Sequence, residues 1–303
     1  MILTNNLNLP QPFVDAATSD HEYKPYRYSV TAVLKGTREA ILQRRHDGEI
    51  EQDVSDMVWA IFGSAVHGIL EKSQETESQL KENWLSVDMD DGYELSGIFD
   101  LYDDSTGTVT DYKTAAAWKV VFGEFDDWKK QTMCYVWMLR QIGFENARRG
   151  EIVAMLKDHS KTKAKADHTY PQHPVFRIGW DFTDEELEEC GKALKEKFAE
   201  IARCEQLPDD ELPMCTEEER WHKPDKWAVK KKGRKTAVRV YESEKDARVR
   251  AMEENKKADS NDLYYVEFRE GEDTKCDSYC PVSDFCPFAR AKKSDVCERQ
   301  EEK

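Results

Sequence analysis

Two short apolar segments joined by a turn carry three charged side chains at fixed positions. Asp100 stands just before the turn 103–107, and Asp111 and Lys113 follow it. Side chains alternate along a strand, so Asp111 and Lys113 share one face, and a hairpin would bring Asp100 close to them. Two carboxylates can hold a hard divalent cation that activates water beside a phosphate, and a nearby lysine can stabilise the developing charge. The spacing therefore predicts a hairpin that carries a site for phosphodiester hydrolysis.

The length and composition of the chain limit the possible architectures. The chain has 303 residues, of which 39% are hydrophobic and 35% charged, so it can form one large domain or a main domain with an appendage. No run of eighteen apolar residues occurs, which argues against a transmembrane helix, and the first residues lack the features of a signal peptide. We expect a cytoplasmic protein.

Charge is unevenly distributed along the sequence. The net charge of −16 argues against a uniformly basic nucleic-acid-binding protein, but residues 221–240 contain eight lysines or arginines and one acid, Asp225, which gives 8 − 1 = +7. This segment is predicted to form a hairpin around residues 231–234. It could bind a phosphate backbone and stack a base, or it could be a solvated edge hairpin. The candidate DNA-binding residues are Trp227, Lys230, Lys231, Lys232, Arg234 and Lys235.

Hydrophobic periodicity predicts alternating helices and strands in the first two thirds of the chain. Helices are predicted at 29–45, 55–70, 126–141 and 183–206, and strands at 93–102, 107–114, 151–156 and 175–180. Thr183 and Glu186 have the spacing of a capping box. Residues 1–25 are predicted to be a loosely ordered arm and 157–173 a polar loop. A smaller hairpin, helix and strand unit is predicted after residue 213.

Four short motifs in this order resemble a known family of enzymes. They are Gly63-x3-His67, Gly97-x2-Asp100, Asp111-x-Lys113 and Gln131-x3-Tyr135. Together they resemble the RecB-type branch of the PD-(D/E)XK nuclease superfamily. The resemblance implies an α/β fold with a restriction-endonuclease-like core, in which helices flank a mixed sheet. The nuclease core is expected at 26–212, after the arm at 1–25, and a cysteine-tethered appendage at 213–303.

The resemblance also implies a role for each motif residue. It makes Asp100 and Asp111 metal ligands, with His67 and the carbonyl group of Tyr112 as further ligands, and Lys113 the catalytic lysine. Gln131 and Tyr135 match the motif that steadies the active site and contacts DNA. Asp111 stands where the superfamily often has glutamate, although both occur. Taken without the other motifs, His67 would be read as a packed core histidine.

The activity implied by the resemblance is hydrolysis of DNA. We expect a Mg²⁺- or Mn²⁺-dependent deoxyribonuclease, an exonuclease rather than a sequence-specific endonuclease, acting in recombination, repair or phage DNA processing. The Trp59-x3-Gly63-x3-His67 pattern is similar to that of phage and prophage exonucleases that act beside a single-strand annealing protein, which would place the chain in a host cytoplasm. Two alternatives stay open: a catalytically silent DNA-binding or assembly factor, and an RNA-processing nuclease.

Three of the eight cysteines form a second motif near the end of the chain, Cys276-x3-Cys280-x5-Cys286. Thiolates at such spacing suit zinc or an iron–sulfur cluster. The motif resembles the cysteine cluster of iron–sulfur RecB-like nucleases, which favours [4Fe–4S] with Zn²⁺ as the alternative. The fourth ligand of that family usually precedes the histidine helix, where this chain has no cysteine. Cys215 is the preferred substitute and Cys297 the alternative.

Overall fold

The described part of the chain falls into two units. A computed structural model describes residues 1–18, 23–74 and 76–301, with the backbone alone for 295–301. Internal contacts divide the chain into an N-terminal unit, Met1–Leu212, and a C-terminal unit, Pro213–Lys303. Within these described ranges, no helix is long and apolar enough to cross a membrane.

The N-terminal unit alternates helices and strands. In chain order it contains β1 (Ile2–Thr4), α1 (Gln11–Ala17), β2 (Arg27–Ser29), α2 (Val30–Val33), α3 (Thr37–Arg45), β3 (Glu51–Asp53), α4 (Val58–Leu70), β4 (Gln79–Asp88), β5 (Glu94–Asp103), β6 (Thr108–Ala115), α5 (Ala117–Phe122), α6 (Asp126–Gln141), β7 (Arg149–Leu156), α7 (Lys161–Ala166), β8 (Val175–Asp181) and α8 (Asp184–Cys204). Short 3₁₀ turns at Val54–Met57 and Asp90–Gly92 precede α4 and β5.

A mixed sheet is the centre of this unit. Its strands follow the order β2-β5-β6-β7-β8, and β4 pairs with β5. The β2–β5 and β6–β7 pairs are parallel, and the β4–β5, β5–β6 and β7–β8 pairs are antiparallel. Helix α6 packs against β6 and β7, while α4 contacts β6. The predicted α/β core, a mixed sheet flanked by helices, is therefore confirmed.

Apolar periodicity explains how α6 and α8 join the sheet. Both helices bury residues three and four positions apart, such as Leu194, Phe198 and Ile201 of α8, and these join Phe99 and Leu139 in the main hydrophobic core. The predicted capping box is present: the Thr183 side chain accepts from the Glu186 amide, and the Glu186 side chain accepts from the Thr183 amide. The bounds of α6 agree with the prediction.

Other segments differ from the sequence-based expectation. The predicted helix 29–45 is split into α2 and α3, and Gly36 is the N-cap of the second. The supposed loop 157–173 contains α7, whose first turn is capped by Ser160. In the predicted arm, β1 pairs with β3 and α1 packs against α4, so its described part is more ordered than its sequence suggests. Strand β4 has no clear alternation and was not predicted.

The C-terminal unit has a small sheet and short helices. Its elements are α9 (Glu217–Arg220), β9 (His222–Lys223), β10 (Lys226–Lys231), β11 (Arg239–Tyr241), α10 (Glu244–Lys257), β12 (Tyr264–Arg269), β13 (Glu272–Asp273), α11 (Thr274–Ser278) and α12 (Pro287–Glu301). The predicted hairpin is present, because β10 pairs antiparallel with β11, and β12 pairs with the other side of β10.

Candidate active site

Strand β5 changes its partner where the candidate site lies. Residues 94–96 pair with β2 and 101–103 pair with β6, whereas the antiparallel β4 runs along the other edge. Between these two pairings the edge of β5 is open over residues 97–100. Asp100 lies at the end of this opening, and the β5–β6 register places it opposite Asp111. The two carboxylates therefore meet where the strands separate.

The Asp100 carboxylate links three elements. Its Oδ1 atom lies 3.0 Å from Nδ1 of His67 on α4, and its Oδ2 atom accepts a 2.5 Å hydrogen bond from the Tyr112 amide of β6. The hydrogen bond to Asp100 raises the pKa of His67, against the opposing effect of burial. His67 and Asp100 are thus brought together as the family resemblance implies, and the Tyr112 backbone lies beside them.

Asp111 is buried and only partly satisfied. Its Oδ1 atom accepts a 3.3 Å hydrogen bond from the Gln131 side chain of α6. Its Oδ2 atom lies 2.7 Å from Nζ of Lys113, but it accepts no hydrogen bond of normal geometry, so the contact is an ion pair. Burial raises the pKa of Asp111, and Lys113 opposes that shift. A buried carboxylate oxygen that pairs with a lysine but accepts no well-formed hydrogen bond can also coordinate a metal ion.

Gln131 and Tyr135 of α6 pack next to the two strands that carry Asp100 and Asp111. Tyr135 is buried one turn along α6 from Gln131, with which it forms a hydrogen bond, and burial raises the pKa of its hydroxyl group. The Tyr135 ring packs on Gly97 so closely that a Cβ atom there would lie 2.6 Å from the ring. Gly97 therefore lets α6 approach the open edge of β5. Gly63, in contrast, has Thr114 Oγ1 3.7 Å from its Cβ position, an ordinary contact.

Glu82 is a member of the site that the sequence did not reveal. It lies on β4, where the β4–β5 register places it opposite Asp100, and its φ angle is +48°. Its Oε1 atom is 3.9 Å from Nδ1 of His67, and ligand atoms of His67, Glu82 and Asp100 all lie within 4.8 Å of one another. Burial and then Asp100 raise the pKa of Glu82. These three side chains could hold a metal ion.

A basic cavity lies on the same face of β5. It has a volume of about 230 Å³, and its lining includes Lys24, Arg27, Ser29, Thr31, Lys35, Arg44 and Ser96. Ser96 and Asp100 are four residues apart and therefore point to the same side of the strand, about 13 Å from each other. Arg27 is paired with Glu94 at 2.5 Å, and Lys35 is 3.9 Å from Glu39. Ser96 of the cavity lining and Asp100 of the candidate metal site are thus connected by strand β5.

The predicted DNA-binding hairpin lies in the C-terminal unit. Lys230 pairs with Glu267 at 2.9 Å, Lys232 pairs with Asp262, and Trp227 packs on Phe268 at a ring distance of 5.6 Å. Trp227 therefore contributes to the packing of the small sheet. Lys231, Arg234 and Lys235 lie at or next to the turn, which includes Gly233 with φ +78°. DNA binding by this hairpin stays a prediction.

The candidate cluster cysteines also belong to the C-terminal unit. Burial, followed by the charges of Cys280, Asp273 and Cys286, raises the pKa of Cys276 to about 11, so these groups are neighbours. The Cys215 carbonyl accepts a 3.1 Å hydrogen bond from Arg220, and α9 packs against α11, which contains Cys276. The Cys297 side chain lies outside the described residues. Cys134, Cys190 and Cys204 are buried in α6 and α8.

Among the cysteines whose side chains the structure describes, the sulfurs are not arranged as a compact zinc site. Tetrahedral zinc with bonds of about 2.3 Å needs its sulfurs about 3.8 Å apart. Among the side chains that the structure describes, no three cysteine sulfurs lie within 4.8 Å of one another. Cysteine sulfur donors are therefore present, but the described ones do not have the spacing of a zinc tetrahedron.

A comparison with known protein families agrees with this fold. A family model of the PD-(D/E)XK nuclease superfamily matches residues 73–287, more than half of the chain. The chain belongs to the PD-(D/E)XK nuclease superfamily. The superfamily predicted from the sequence motifs is confirmed, while the RecB-type branch and the annealing partner stay predictions. Members of this superfamily use divalent metal ions.

Several solved structures are similar to this chain. The crystal structure of SSO0001 is 15% identical with a TM-score of 0.47, and the match covers 65% of this chain and 86% of that one. An alkaline exonuclease from Laribacter hongkongensis is 14% identical with a TM-score of 0.36, covering 59% and 89%. A phage-related exonuclease from Haemophilus somnus 129PT is 12% identical with a TM-score of 0.28, covering 57% and 82%. No curated protein sequence matches the chain.

Proposed function

We propose that this chain is a DNA exonuclease dependent on Mg²⁺ or Mn²⁺. The observation that carries the proposal is the meeting of Asp100, Asp111 and Lys113 at the open edge of β5. Two carboxylates opposite each other and a lysine on the same strand face form the donor and charge pattern needed at a phosphodiester. His67 holds Asp100 and Gln131 holds Asp111, so both carboxylates have fixed positions.

The residues present fit a divalent cation. The buried Asp111 Oδ2 atom accepts no hydrogen bond, and the ligand atoms of His67, Glu82 and Asp100 are clustered. His67, Asp100, Asp111 and the Tyr112 carbonyl group, together with Glu82, are the groups that would hold it. When bound, such an ion would supply Lewis-acid activation of water and of the phosphate. Oxygen-rich ligands favour Mg²⁺ or Mn²⁺ over softer metals.

Lys113 supplies a positive charge that is already positioned. Its Nζ atom is held by Asp111 at 2.7 Å, and its side chain is partly exposed. A phosphate placed at the two carboxylates would therefore meet this ammonium group. Its role is to offset the negative charge that develops on the phosphoryl oxygens during attack. Because the group is fixed before the substrate arrives, little reorganisation is needed.

Preference for a DNA end is supported by the basic cavity. Lys24, Arg27, Lys35 and Arg44 give it positive charge, and the hydroxyl groups of Ser29 and Thr31, which share one hydrogen bond, leave one O–H donor for an anion. A volume of about 230 Å³ accommodates a terminal phosphate more readily than a continuous duplex. A terminal phosphate bound there would place a nearby phosphodiester at the metal site.

The test of turnover uses purified protein with end-labelled linear DNA, closed circular DNA and RNA of matched sequence, in Mg²⁺, Mn²⁺ or EDTA. We expect release of nucleotides from linear DNA only, and only with a divalent ion. Lys113→Ala should reduce the rate about a thousandfold, by analogy with loss of a group that stabilises transition-state charge. Lys195→Ala, an exposed lysine on α8, is the matched control. Equal degradation by Lys113→Ala and the wild type would refute the catalytic assignment.

The end preference has its own test. DNA with a 5′-phosphate, a 5′-hydroxyl or a 3′-phosphate is compared at a range of concentrations, with the Lys24→Ala and Lys35→Ala variants. We expect one terminal phosphate to lower KM about tenfold in the wild type, and each variant to remove most of this difference. An endonuclease would instead cut the closed circular DNA and ignore the terminal group.

We also propose a [4Fe–4S] cluster on Cys276, Cys280, Cys286 and Cys215. The proposal is supported by the closeness of Cys276 to Cys280 and to Cys286, and by the packing of α9, which follows Cys215, against α11. Protein purified without oxygen should be brown and contain about four iron atoms per chain. Cys276→Ser should lose most of this iron, whereas Cys204→Ser, at a buried thiol of α8, should retain it. Colourless protein with one zinc would favour the alternative.

A further inference from the structure

Helix α4 is unusually apolar for a helix with no buried residue. Its sequence, Val58–Leu70, contains no charged side chain apart from His67, yet every residue is exposed or half-buried. Trp59 is 55% exposed and Phe62 is 42% exposed. Their rings are edge to face with centroids 6.4 Å apart. An exposed aromatic pair of this kind indicates a binding surface, because water is a poor neighbour for it.

A second aromatic pair lies on α5. Trp118 is 48% exposed and Phe122 is 67% exposed, and their rings are stacked with centroids 5.8 Å apart. Helix α5 begins directly after β6, the strand that carries Asp111 and Lys113. Along the chain, Trp118 therefore follows Lys113 of the candidate site by only five residues.

Both pairs carry a lysine over a tryptophan ring. Nζ of Lys157 lies 3.8 Å from the centre of the Trp59 ring, and Nζ of Lys163 lies 5.3 Å from that of Trp118. The segments 117–122 and 157–166 contain five lysines and one acid, Asp158, which gives 5 − 1 = +4 in a chain of net charge −16. Of these lysines, Lys119 is paired with Asp127, whereas Lys157 and Lys163 lie over the exposed rings.

The two pairs lie near the carboxyl ends of β6 and β7. The Lys157 amide donates to the Ala115 carbonyl at the end of β6, and the Ala117 amide donates to the Asp158 carboxylate at 2.6 Å. On α4, Trp59, Gly63 and His67 follow one another at four-residue spacing, so they form a row about 12 Å long from the metal site outward. Gly63 in this row faces Thr114 of β6.

We propose that Trp59, Phe62, Trp118 and Phe122, with Lys157 and Lys163, bind single-stranded DNA next to the active site. Flat exposed rings with interleaved cations match a chain of bases and phosphates, and bases stack on aromatic side chains only when they are not paired in a duplex. The positive charge favours this polyanion over an apolar protein partner. The inference rests on the proposed nuclease function and specifies which form of DNA the site receives.

The test measures binding of fluorescein-labelled oligo-dT and of a blunt duplex of equal length to the full chain in EDTA, where no turnover occurs. Trp118→Ala and Trp59→Ala should each weaken oligo-dT binding about tenfold and change duplex binding less than twofold. Trp118→Phe should restore most of the affinity, because a phenyl ring still stacks. Ile69→Ala, at another exposed apolar residue of α4, is the control and should bind like the wild type.

The outcomes separate this inference from the proposed function. Wild-type affinity for oligo-dT in both alanine variants, with unchanged circular dichroism, would overturn the inference even if the wild type degrades DNA. Weakened binding by Trp118→Ala that Trp118→Phe restores would support it even if the wild type showed no DNA hydrolysis. An equal loss of oligo-dT and duplex binding would also overturn it, because stacking on unpaired bases cannot produce that result.

Discussion

At the residue scale, Gly97 determines how closely α6 approaches β5. A Cβ atom at this position would lie 2.6 Å from the Tyr135 ring and 3.3 Å from the Val30 side chain, and both neighbours are buried. Gly97→Ala should therefore destabilise the fold by about 1–3 kcal/mol, the usual cost of overpacking a core. It should also slow hydrolysis, because Tyr135 and Gln131 would shift from Asp111. Urea unfolding and rate measurements check both effects.

Gly68→Ala is the control for this prediction. No atom lies within 4 Å of a Cβ built on Gly68, which is inside α4. Alanine there should stabilise the helix by about 0.5–1 kcal/mol, because glycine loses more backbone freedom on folding. Equal stability changes in the two variants would show that the tight contact at Gly97 relaxes without cost.

Glu82 gives a second residue-scale prediction. Its carboxylate is grouped with His67 and Asp100, so Glu82→Gln should weaken Mn²⁺ binding about tenfold in calorimetric titrations of the full chain. Glu71→Gln is the matched control, because Glu71 is an exposed acid outside this group. Unchanged Mn²⁺ affinity in Glu82→Gln would remove Glu82 from the metal site.

Sequence reasoning finds some residues of the site and misses others for a physical reason. Asp111 and Lys113 are two apart on one strand, and Asp100 is joined to them by a short turn, so local spacing is enough. Glu82 reaches Asp100 through the β4–β5 register and a left-handed backbone angle. Neither the register nor the backbone angle leaves a local pattern in the sequence, because β4 lacks apolar alternation near Glu82.

At the element scale, strongly periodic segments were predictable and short or polar ones were not. Helix α6 has apolar residues at helical spacing, and α8 begins with a complete capping box, so the sequence indicates both. Helix α7 is short and lysine-rich and is held by Ser160 and by contacts of Tyr170 with the loop. The partner change of β5 is likewise not visible locally, because β6 follows β5 through a short turn whereas β2 comes from a distant part of the chain.

The end of α3 provides a prediction about pH. Burial lowers the pKa of His46, but hydrogen bonds to Asp209 and Glu49 outweigh it and raise the pKa overall. His46 Nε2 lies 2.7 Å from Asp209, which also receives Arg45 at 2.6 Å. Because the pKa of His46 is higher in the folded state, protonation of His46 stabilises the fold. This stabilisation is complete below the unfolded-state pKa of about 6.5, and it is lost as the pH rises through the folded-state pKa.

His46→Gln should therefore lower Tm more at pH 6 than at pH 8.5. The measurement is the difference in Tm between wild type and variant across this pH range, which cancels the contributions of other titrating groups. His173→Gln, at an exposed histidine, serves as the control. A difference in Tm that does not change with pH would show that His46 contributes by packing alone.

At the scale of the whole molecule, the two units are stabilised differently. The N-terminal unit has a large apolar core that includes Phe99, Leu139 and Phe198. One apolar cluster of the C-terminal unit is centred on only three buried residues, Val229, Ala247 and Ala251, and Val282 and Ala289 are buried outside it. A core of this size supplies little hydrophobic stabilisation, and small units usually add cross-links, metals or buried polar contacts. In the C-terminal unit, a set of ion pairs centred on Asp273 provides such contacts.

Asp273 joins separate segments of the C-terminal unit. Its carboxylate is buried and lies 2.5 Å from Arg220, 2.8 Å from His222 and 3.3 Å from Lys292. Burial would raise the pKa of Asp273, but His222, Lys292 and Arg220 outweigh it and lower the pKa. These contacts hold α9 and α12 to β13, next to the segments that carry the cluster cysteines.

Asp273→Ala should destabilise this unit by about 3–5 kcal/mol, because it leaves the buried Arg220 guanidinium without its carboxylate. The control Asp277→Ala removes an exposed acid that pairs with the same Lys292 and should cost less than about 1 kcal/mol. Hydrogen exchange should show lost protection at 217–223 and 272–292 in Asp273→Ala, while β6 and β7 keep theirs. Equal exchange in the two variants would mean that the ion pairs do not hold these segments together, and that apolar packing or the proposed cluster does.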